Sequence, residues 1–220
     1  MAAARPGGRG VFIAFEGGEG AGKSTQVRRL VAWLTGQGLP ARATFEPGAT
    51  SAGAAIRAIV LDPAHTGLSP RAEALLYAAD RAQHVDAVLR PALEAGEVVV
   101  TDRFVDSSLA YQGAGRTIPL DEVRALSRWA TAGLQPDLTV LLDLPPEVGL
   151  ARARGRAGAD RLESESLDFH ERVRATFRVL ADAEPQRYLV LDATRPVEEL
   201  AEAIRARVAA LLPVSAGRQP

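Results

Sequence analysis

The chain has 220 residues, a net charge of −1 and an apolar fraction of 47%, which is enough for a sizeable hydrophobic core. The near-neutral charge argues against a protein that holds nucleic acid by bulk electrostatics, and the absence of cysteine excludes disulfides and cysteine-ligated zinc. Because no apolar run could cross a bilayer and the first residues lack the apolar core of a signal peptide, we expect a cytoplasmic protein without a membrane partner.

Short apolar runs alternate along the chain with longer stretches of helical periodicity. The predicted strands are 11–16, 41–45, 97–101, 138–143 and 187–191. The predicted helices are 24–36, 51–61, 70–94, 119–132, 146–155, 161–183 and 196–211. This alternation predicts an α/β fold with a doubly wound parallel sheet, which binds ligands at the carboxyl ends of its strands. We expect one domain over residues 11–212, with flexible tails at 1–10 and 213–220.

The first predicted strand is followed by a glycine-rich turn that fits G-x-x-x-x-G-K-[ST] at each fixed position. Its residues are Gly17, Gly18, Glu19, Gly20, Ala21, Gly22, Lys23 and Ser24, with Thr25 next. A strand, this turn and an amphipathic helix are typical of a P-loop, whose backbone N–H groups surround phosphate oxygens. Lys23 would then contact the β- and γ-phosphates, and the Ser24 hydroxyl would bind Mg²⁺. A turn without a ligand is the alternative, but Lys23 is the only lysine in the chain, and arginine is no substitute there.

A Pro-Gly turn, from Glu46 to Thr50, follows the second predicted strand. Because it lies at the carboxyl end of that strand, it would face the same cleft as the P-loop and could contribute to an acceptor site. A plain turn dictated by proline and glycine is the alternative.

On the third predicted helix, Tyr77 and Arg81 are four residues apart and therefore share a face. An aromatic ring next to a planar donor can stack on a base and bind its edge. Spacing alone favours the alternative, a core Tyr77 beside a surface ion pair of Arg81 with Glu73 or Asp80. For His84, we expect a packing or solvent-facing position.

Asp102 and Arg103 come directly after the third predicted strand. A carboxylate at the end of a buried strand beside a P-loop is where Mg²⁺ is held, although Asp102 could instead cap the following helix. Arg103 would clamp a phosphate with two N–H donors or pair with a carboxylate. The hydroxyls and aromatic ring of the segment from Phe104 to Gly113 suit a sugar or base pocket, or an ordinary helix surface.

Arginines and glycines cluster near residues 150–163. They are Arg152, Arg154, Gly155, Arg156, Gly158 and Arg161. Guanidinium groups beside flexible hinges predict a lid that closes on phosphates and excludes water. A solvated helix face, partly neutralised by Glu163 and Glu165, is the alternative.

Together these motifs resemble those of bacterial thymidylate kinases, in the family's order and from Phe12 to about Leu200. The stretches that carry the resemblance are 16–25, 46–50, 76–84, 102–113 and 152–163. The most specific is 102–113, which is similar to the family's Asp-Arg-Tyr…Ser-Ser-x-Ala-Tyr-Gln-Gly. The resemblance implies a five-stranded P-loop sheet of order 2-3-1-4-5, a homodimer, and Mg²⁺-dependent transfer from ATP to dTMP.

Carried over position by position, the resemblance also implies roles on the thymidylate side. Tyr77 would stack on thymine, while Arg81 and Ser108 would read its edge. Arg103 would hold the acceptor phosphate, and Tyr111 would lie under the deoxyribose, where it leaves poor room for a 2′-hydroxyl. By the same motifs, Glu19 (near the 3′-hydroxyl), Glu46 and Gln112 belong to the substrate site.

On the ATP side, the resemblance implies that lid arginines act with Lys23 on the transferring phosphoryl group, Arg156 first and Arg161 next. Ala193 would belong to the adenine-binding loop after the last strand. Residues Ser24 and Asp102 would hold the metal.

Two positions depart from the family's pattern: Phe45 stands where the family usually has arginine, and Ala49 replaces a glycine. Either a lid arginine or Arg103 compensates for the missing guanidinium, or Phe45 reshapes the acceptor pocket. The rival functions are a kinase for another nucleotide or nucleoside and a regulatory nucleotide switch. GTPase switches use an Asn-Lys-x-Asp motif, and this chain contains no asparagine.

Overall fold

The computed structural model describes residues 10–65, 67–154 and 160–212, so all but Gly10 of the predicted tails lies outside the described residues. The strands are β1 (Val11–Glu16), β2 (Ala41–Phe45), β3 (Val98–Asp102), β4 (Leu138–Asp143) and β5 (Tyr188–Asp192). The helices are α1 (Lys23–Gly36), α2 (Ser51–Leu61), α3 (Pro70–His84), α4 (Arg90–Glu94), α5 (Val105–Ser108), α6 (Leu120–Ala130), α7 (Pro146–Arg154), α8 (Leu167–Ala183) and α9 (Val197–Ala209). Two π-helical segments, Val85–Leu89 and Leu109–Gly115, follow α3 and α5. Among the described residues, no helix is long and apolar enough to cross a membrane.

The five strands form one parallel sheet in the order β2-β3-β1-β4-β5, which confirms the predicted fold class and order. The strand β1 lies in the middle, between β3 and β4. The chain passes from β1 to β2 on one side of β1, and the connection from β3 then crosses to β4 on the other side. Such a reversal opens a crevice at the carboxyl ends of the strands. The loops after β1, β2 and β3 therefore meet at one edge.

Side chains of β1 alternate between two hydrophobic clusters because successive residues of a strand point to opposite faces. Ile13 and Phe15 pack in a cluster that includes residues of α1 and α9. Phe12 packs on the other face against Phe104, with ring centroids 4.9 Å apart, beside residues of the segment that ends in α4. Burial on both faces explains the nearly continuous apolar sequence of β3 and β4.

Most predicted elements lie within a residue or two of their observed bounds, and the largest error concerns the helix predicted over 161–183. The helix α8 begins at Leu167, after a series of turns. The Asp160 carboxylate accepts hydrogen bonds from the backbone N–H groups of Leu162 and Glu163, and Ser166 caps the true N-terminus by accepting one from Phe169. These side-chain contacts compete with helical hydrogen bonding in the turns.

The helical segments at 105–115 were not predicted, whereas the long helix over 70–94 was predicted as one element. Just before Pro91, the structure has the π-helical segment Val85–Leu89 in place of a continuous α-helix, and the Arg90 N–H donates to the Val85 carbonyl. Proline lacks an N–H and crowds the preceding turn, so a widened turn in front of it relieves the clash.

Glu73 of α3 is fully buried and joins three parts of the fold. Its carboxylate accepts hydrogen bonds from Gln112 in the second π-helical segment and from Arg116 just after it. It also binds Arg161, whose Nε donates to the carbonyl of Val60 in α2. Two guanidinium groups thus share one buried carboxylate.

We expect Glu73→Gln to lower the free energy of unfolding by about 3–5 kcal/mol, because it leaves the buried Arg161 guanidinium without a counter-charge among the described residues, while Arg116 keeps its ion pair with Glu165. The exposed Glu202 of α9 supplies the matched control, since Glu202→Gln removes the same charge from the surface. Urea unfolding of both variants measures the difference. Equal effects of the two substitutions would contradict the role assigned to Glu73.

Candidate active site

A cavity of about 400 Å³ lies at the carboxyl ends of β1, β2 and β3. The predicted site residues that line it are Glu19, Gly20, Lys23, Ser24, Glu46, Tyr77, Arg81, Asp102, Arg103, Ser108, Tyr111 and Gln112. The tertiary fold thus brings together residues from four separate stretches of sequence. Gly17, Gly18, Ala21, Gly22 and Thr25 belong to the glycine loop and the first turn of α1 but are not part of the lining.

The glycine loop connects β1 to the N-terminus of α1 by backbone conformations that favour glycine. Gly22 precedes α1 with φ at 92°, and no side chain caps the helix. Gly17 has φ at 136°, and a Cβ there would lie 2.4 Å from the Leu142 carbonyl oxygen. The loop therefore packs tightly against β4 while the first N–H groups of α1 stay available for an anion.

Lys23 folds back over this loop. Its Nζ donates to the carbonyl oxygens of Gly17 and Gly18 at 3.0 and 2.7 Å. Burial lowers the pKa of Lys23 to about 8, and the positive charge of Arg103 adds to that effect. A phosphate placed here would stabilise the charged ammonium, which is the form that binds it.

The two candidate metal ligands are in direct contact. Ser24 Oγ donates to Asp102 Oδ2 at 2.5 Å, which joins the start of α1 to the end of β3. A hydroxyl and a carboxylate oxygen are suitable donors for Mg²⁺, which usually completes its octahedron with waters and substrate phosphates. The donor set therefore fits the predicted metal.

Arg103 adopts a left-handed backbone conformation with φ at 72°, and its N–H bonds the Phe15 carbonyl at 2.8 Å. Such a conformation costs a residue with a Cβ about 1–2 kcal/mol. It directs the guanidinium to Gly17 and Ser107 through Nη1, and to Glu19 and Tyr111 through Nη2. The guanidinium also stacks on Tyr111, 4.9 Å from the ring centroid.

Glu19 lies between the glycine loop and this arginine. Its carboxylate accepts hydrogen bonds from Arg103 and from the Tyr111 hydroxyl. Burial alone would raise the pKa of Glu19, but Arg103 and Lys23 outweigh it and hold the pKa below its ordinary value.

At the other end of the cavity, Arg81 is buried, and the favoured alternative of a surface ion pair is wrong. Its Nε donates to Glu46 at 2.7 Å, and its other nitrogens donate to the Ser108 hydroxyl and the Phe104 carbonyl. The partner carboxylate is neither Glu73 nor Asp80. Tyr77, one turn earlier, is also buried.

His84 is buried, which is the first of the two positions, packing or solvent-facing, that the sequence predicted for it. Its ring nitrogens contact Thr44 at 2.7 Å and Glu46 at 2.8 Å. The carboxylate of Glu46 is thus held by two side chains of α3, which positions the turn after β2.

Glu16 is a functional residue that the sequence reasoning missed. It ends β1 with no exposed surface, and one carboxylate oxygen accepts the N–H groups of Phe104 and Ser107 at 2.9 and 3.1 Å. The Ser107 hydroxyl donates to the other oxygen and also accepts from Arg103. A carboxylate in an otherwise apolar strand was the available signal, because a buried charge requires partners.

The predicted lid is only partly described. Arg156 lies outside the described residues, and Arg161 is not part of the cavity lining but donates to Glu73 and to the Val60 carbonyl. Arg152 Nη1 donates to the carbonyl of Ala193 at 3.1 Å, which links α7 to the loop after β5. Ala193 is itself buried, and its backbone N–H donates a hydrogen bond to the carbonyl oxygen of Asp143.

Comparison with known proteins gives a consistent result over most of the chain. Residues 15–204 match the family model described as "Thymidylate kinase". The chain is 58% identical over 200 residues to the thymidylate kinase of Leifsonia xyli subsp. xyli, covering 90% of this chain and 94% of the relative. It is 57% identical over 210 residues to that of Clavibacter michiganensis subsp. michiganensis, with 94% and 98% covered. For the thymidylate kinase of Deinococcus radiodurans, the identity is 56% over 200 residues, with 91% and 97% covered.

The surroundings of Glu16 lead to a prediction about stability and pH. Burial, followed by the charge of Asp106, raises the pKa of Glu16 from 4.5 to about 7. The stability that this group contributes is therefore fully present below pH 4.5 and is lost as the pH rises to about 7. This change corresponds to about 3 kcal/mol. The variant Glu16→Gln does not titrate at this position. Its free energy of unfolding, relative to that of the wild type, should therefore increase by up to about 3 kcal/mol as the pH rises from 4.5 to 8.

Glu19→Gln is the control with the opposite sign, because the pKa of Glu19 is lowered and its contribution is lost as the pH falls. Urea unfolding at a series of pH values measures both differences. If both variants shifted in the same direction with pH, the environment assigned to Glu16 would be wrong.

Proposed function

The chain belongs to the thymidylate kinase family, and we propose that its cavity transfers the γ-phosphoryl group of ATP to dTMP, giving ADP and dTDP. The observation that carries this proposal is a single cavity whose lining joins Lys23 and Ser24, at the start of α1, to the buried Tyr77 and Arg81 of α3. Two phosphate-bearing molecules can meet there. We treat residues 11–212 as one kinase domain.

On the donor side, Lys23 and the N–H groups at the start of α1 bind the β- and γ-phosphates. Ser24 and Asp102 hold Mg²⁺, which supplies charge neutralisation between the phosphates when bound. Gly17, Gly18, Gly20, Ala21, Gly22 and Thr25 shape the loop around the phosphate chain, and Ala193 borders the adenine.

On the acceptor side, Tyr77 stacks on thymine while Arg81 and Ser108 contact its edge, with Glu46 and Gln112 around them. The hydrogen bond between Arg81 and Ser108 supports their joint role. Tyr111 lies under the deoxyribose, and Glu19, which binds the Tyr111 hydroxyl, is near the 3′-hydroxyl.

The transfer step itself requires no general base, because the acceptor oxygen belongs to a phosphate and is already ionised at neutral pH. Catalysis is then a matter of orientation and charge stabilisation. Lys23 and Arg103, which both donate to the Gly17 carbonyl, act together on the phosphates. Arg156 and Arg161 stay predictions for the transferring group, and in the described conformation Arg161 contacts Glu73 instead.

The acceptor specificity is tested by ADP release with a panel of dTMP, dUMP, UMP, dCMP, AMP and thymidine. We expect the highest kcat/KM with dTMP, because Arg81, Ser108 and Tyr111 select the base and the deoxyribose. Lys23→Ala should lower kcat by at least about 100-fold with every acceptor, since it removes a charge that acts on the transferred phosphate. A faster reaction with another monophosphate would favour the rival kinase, and near-normal turnover without Lys23 would contradict the whole assignment.

We also propose that the protein forms a homodimer through α2, α3 and α6, since α3 contacts each of the other two helices. Each presents a large exposed apolar side chain: Ile59 is 38% exposed, Leu75 is 58% exposed and Trp129 is 80% exposed. Exposed apolar side chains on adjacent elements are typical of an interaction surface. The predicted cytoplasmic location stays a prediction.

Light scattering should give about twice the chain mass of 23.3 kDa for the wild type. Trp129→Glu should shift the mass toward the monomer, because it places a charge in the interface core. Val179 of α8 is 65% exposed on another helix, so Val179→Glu is the matched control and should stay dimeric. A monomeric wild type would refute the dimer without touching the kinase assignment.

A further inference from the structure

The second π-helical segment, Leu109–Gly115, carries two side chains of the cavity lining, Tyr111 and Gln112. The Tyr111 hydroxyl donates to Glu19 of the glycine loop. Gln112 Nε2, from the very next residue, donates to Glu73 of α3 at 2.9 Å. The directions of both side chains depend on the width of the helical turn that carries them, and turns of this rare type are frequent at functional sites.

The end of the segment has backbone carbonyls that its own helix cannot satisfy. The Arg116 N–H bonds the Tyr111 carbonyl at 2.9 Å, which closes the wide turn. The carbonyls of Ala114 and Gly115 lie beyond this bond, at the C-terminus, where a helix has no further N–H groups to offer. Arg172 of α8 supplies both missing bonds, since its Nε donates to the Ala114 oxygen at 3.2 Å and its Nη2 to the Gly115 oxygen at 3.1 Å.

Aromatic side chains of the same helix, α8, pack against the segment. The Tyr111 ring lies edge-on to Phe169 and Phe177, with ring centroids 6.1 and 6.3 Å apart. A Cβ at Gly115 would lie 2.6 Å from a carbon of the Phe169 ring, so the missing side chain lets α8 approach this closely. The helix α8 therefore fixes both the end of the segment and its distance from the neighbouring elements.

Arg172 itself is exposed and does not line the cavity. In the described part of the chain, it forms no ion pair with a carboxylate, and its hydrogen bonds go to the two backbone carbonyls. Such an arginine can influence the cavity only through the backbone that it binds.

We propose that Arg172 is a positioning residue of the reaction, which keeps the second π-helical segment in its wide form and so sets the places of Tyr111 and Gln112 in the cavity. The inference rests on the proposed function, because binding of the acceptor nucleotide reports on these two side chains. Without Arg172, the end carbonyls lose their partners and the turn can tighten, which shifts both side chains from Glu19 and Glu73. The ATP side is affected less, since the structure shows no hydrogen bond from the segment to Lys23.

Steady-state kinetics of the full-length protein, with dTMP and ATP varied in turn, tests this role. Arg172→Met removes every hydrogen-bond donor of the side chain and keeps a long apolar stem. We expect the KM for dTMP to rise about 3- to 10-fold, equivalent to about one net hydrogen bond, while the KM for ATP stays within about twofold. An unchanged KM for dTMP, or an equal rise of both KM values, overturns the proposal.

A conservative variant and a surface control make this result specific. Arg172→Lys should keep the KM for dTMP within about twofold of the wild type, because an ammonium group also donates to carbonyl oxygens. Arg178 is exposed further along α8, so Arg178→Met is the matched control and should change neither KM. A rise with Arg178→Met equal to that with Arg172→Met would refute the role of Arg172.

Gly115 offers a second, independent test of the contact with α8. Gly115→Ala should also raise the KM for dTMP, because its Cβ would meet the Phe169 ring and push the segment away. Leucine lacks the ring atoms that this Cβ would meet, so Gly115→Ala combined with Phe169→Leu should have the KM of Phe169→Leu alone. If the effects of the two substitutions simply multiplied, the contact with α8 would not set the geometry of the segment, and the proposal would fail.

The wild-type protein separates failure of this inference from failure of the proposed function. If the wild type used another monophosphate faster than dTMP, the proposed function would fail, and the same KM comparison with that acceptor would decide the role of Arg172. If it preferred dTMP and Arg172→Met left the KM for dTMP unchanged, only the role of Arg172 would fail. Urea unfolding of each variant checks that the fold is retained.

Discussion

The hydrogen bonds that Glu16 accepts from the first turn of α5 hold the carboxyl edge of the sheet together. The helix α5 has only four residues and no side-chain cap of its own, and so short a helix is not stable in isolation. From the neighbouring strand, Glu16 accepts the N–H groups of Ser107 in α5 and of Phe104 just before it. The chain can then leave β3 through a left-handed Arg103, and this departure directs the guanidinium back to the glycine loop and Glu19.

Charges in the cavity are paired before any nucleotide arrives. Lys23 bonds loop carbonyls, Arg103 bonds Glu19, and Arg81 bonds Glu46. These contacts fix the side chains near the positions that they need in the complex, so that less conformational entropy is lost on binding. In the proposed function, phosphate oxygens would replace the carbonyls as partners of Lys23 and would oppose the lowering of its pKa by burial.

Buried carboxylates link the cavity to the rest of the fold. Glu73 connects α3 to the second π-helical segment and to Arg161, while Glu46 connects the turn after β2 to Arg81 and His84. The end of the cavity that Tyr77 and Arg81 line is therefore built on helices whose relative positions depend on ion pairs. Removing one partner of such a pair leaves the other charge buried without a counter-charge. These positions are therefore intolerant of substitution.

Local patterns in the sequence determined the strands, most of the helices and the glycine loop, because apolar periodicity and the glycine spacing are properties of neighbouring residues. They also located Asp102 and Arg103 at the end of a strand, and the resemblance supplied the strand order. Only the tertiary structure decided that Arg81 is buried against Glu46, that Glu16 stabilises α5, and that Arg172 binds the end of the second π-helical segment. Each of these contacts joins residues at least 35 positions apart, so their partners become known only when the sheet has brought the loops together.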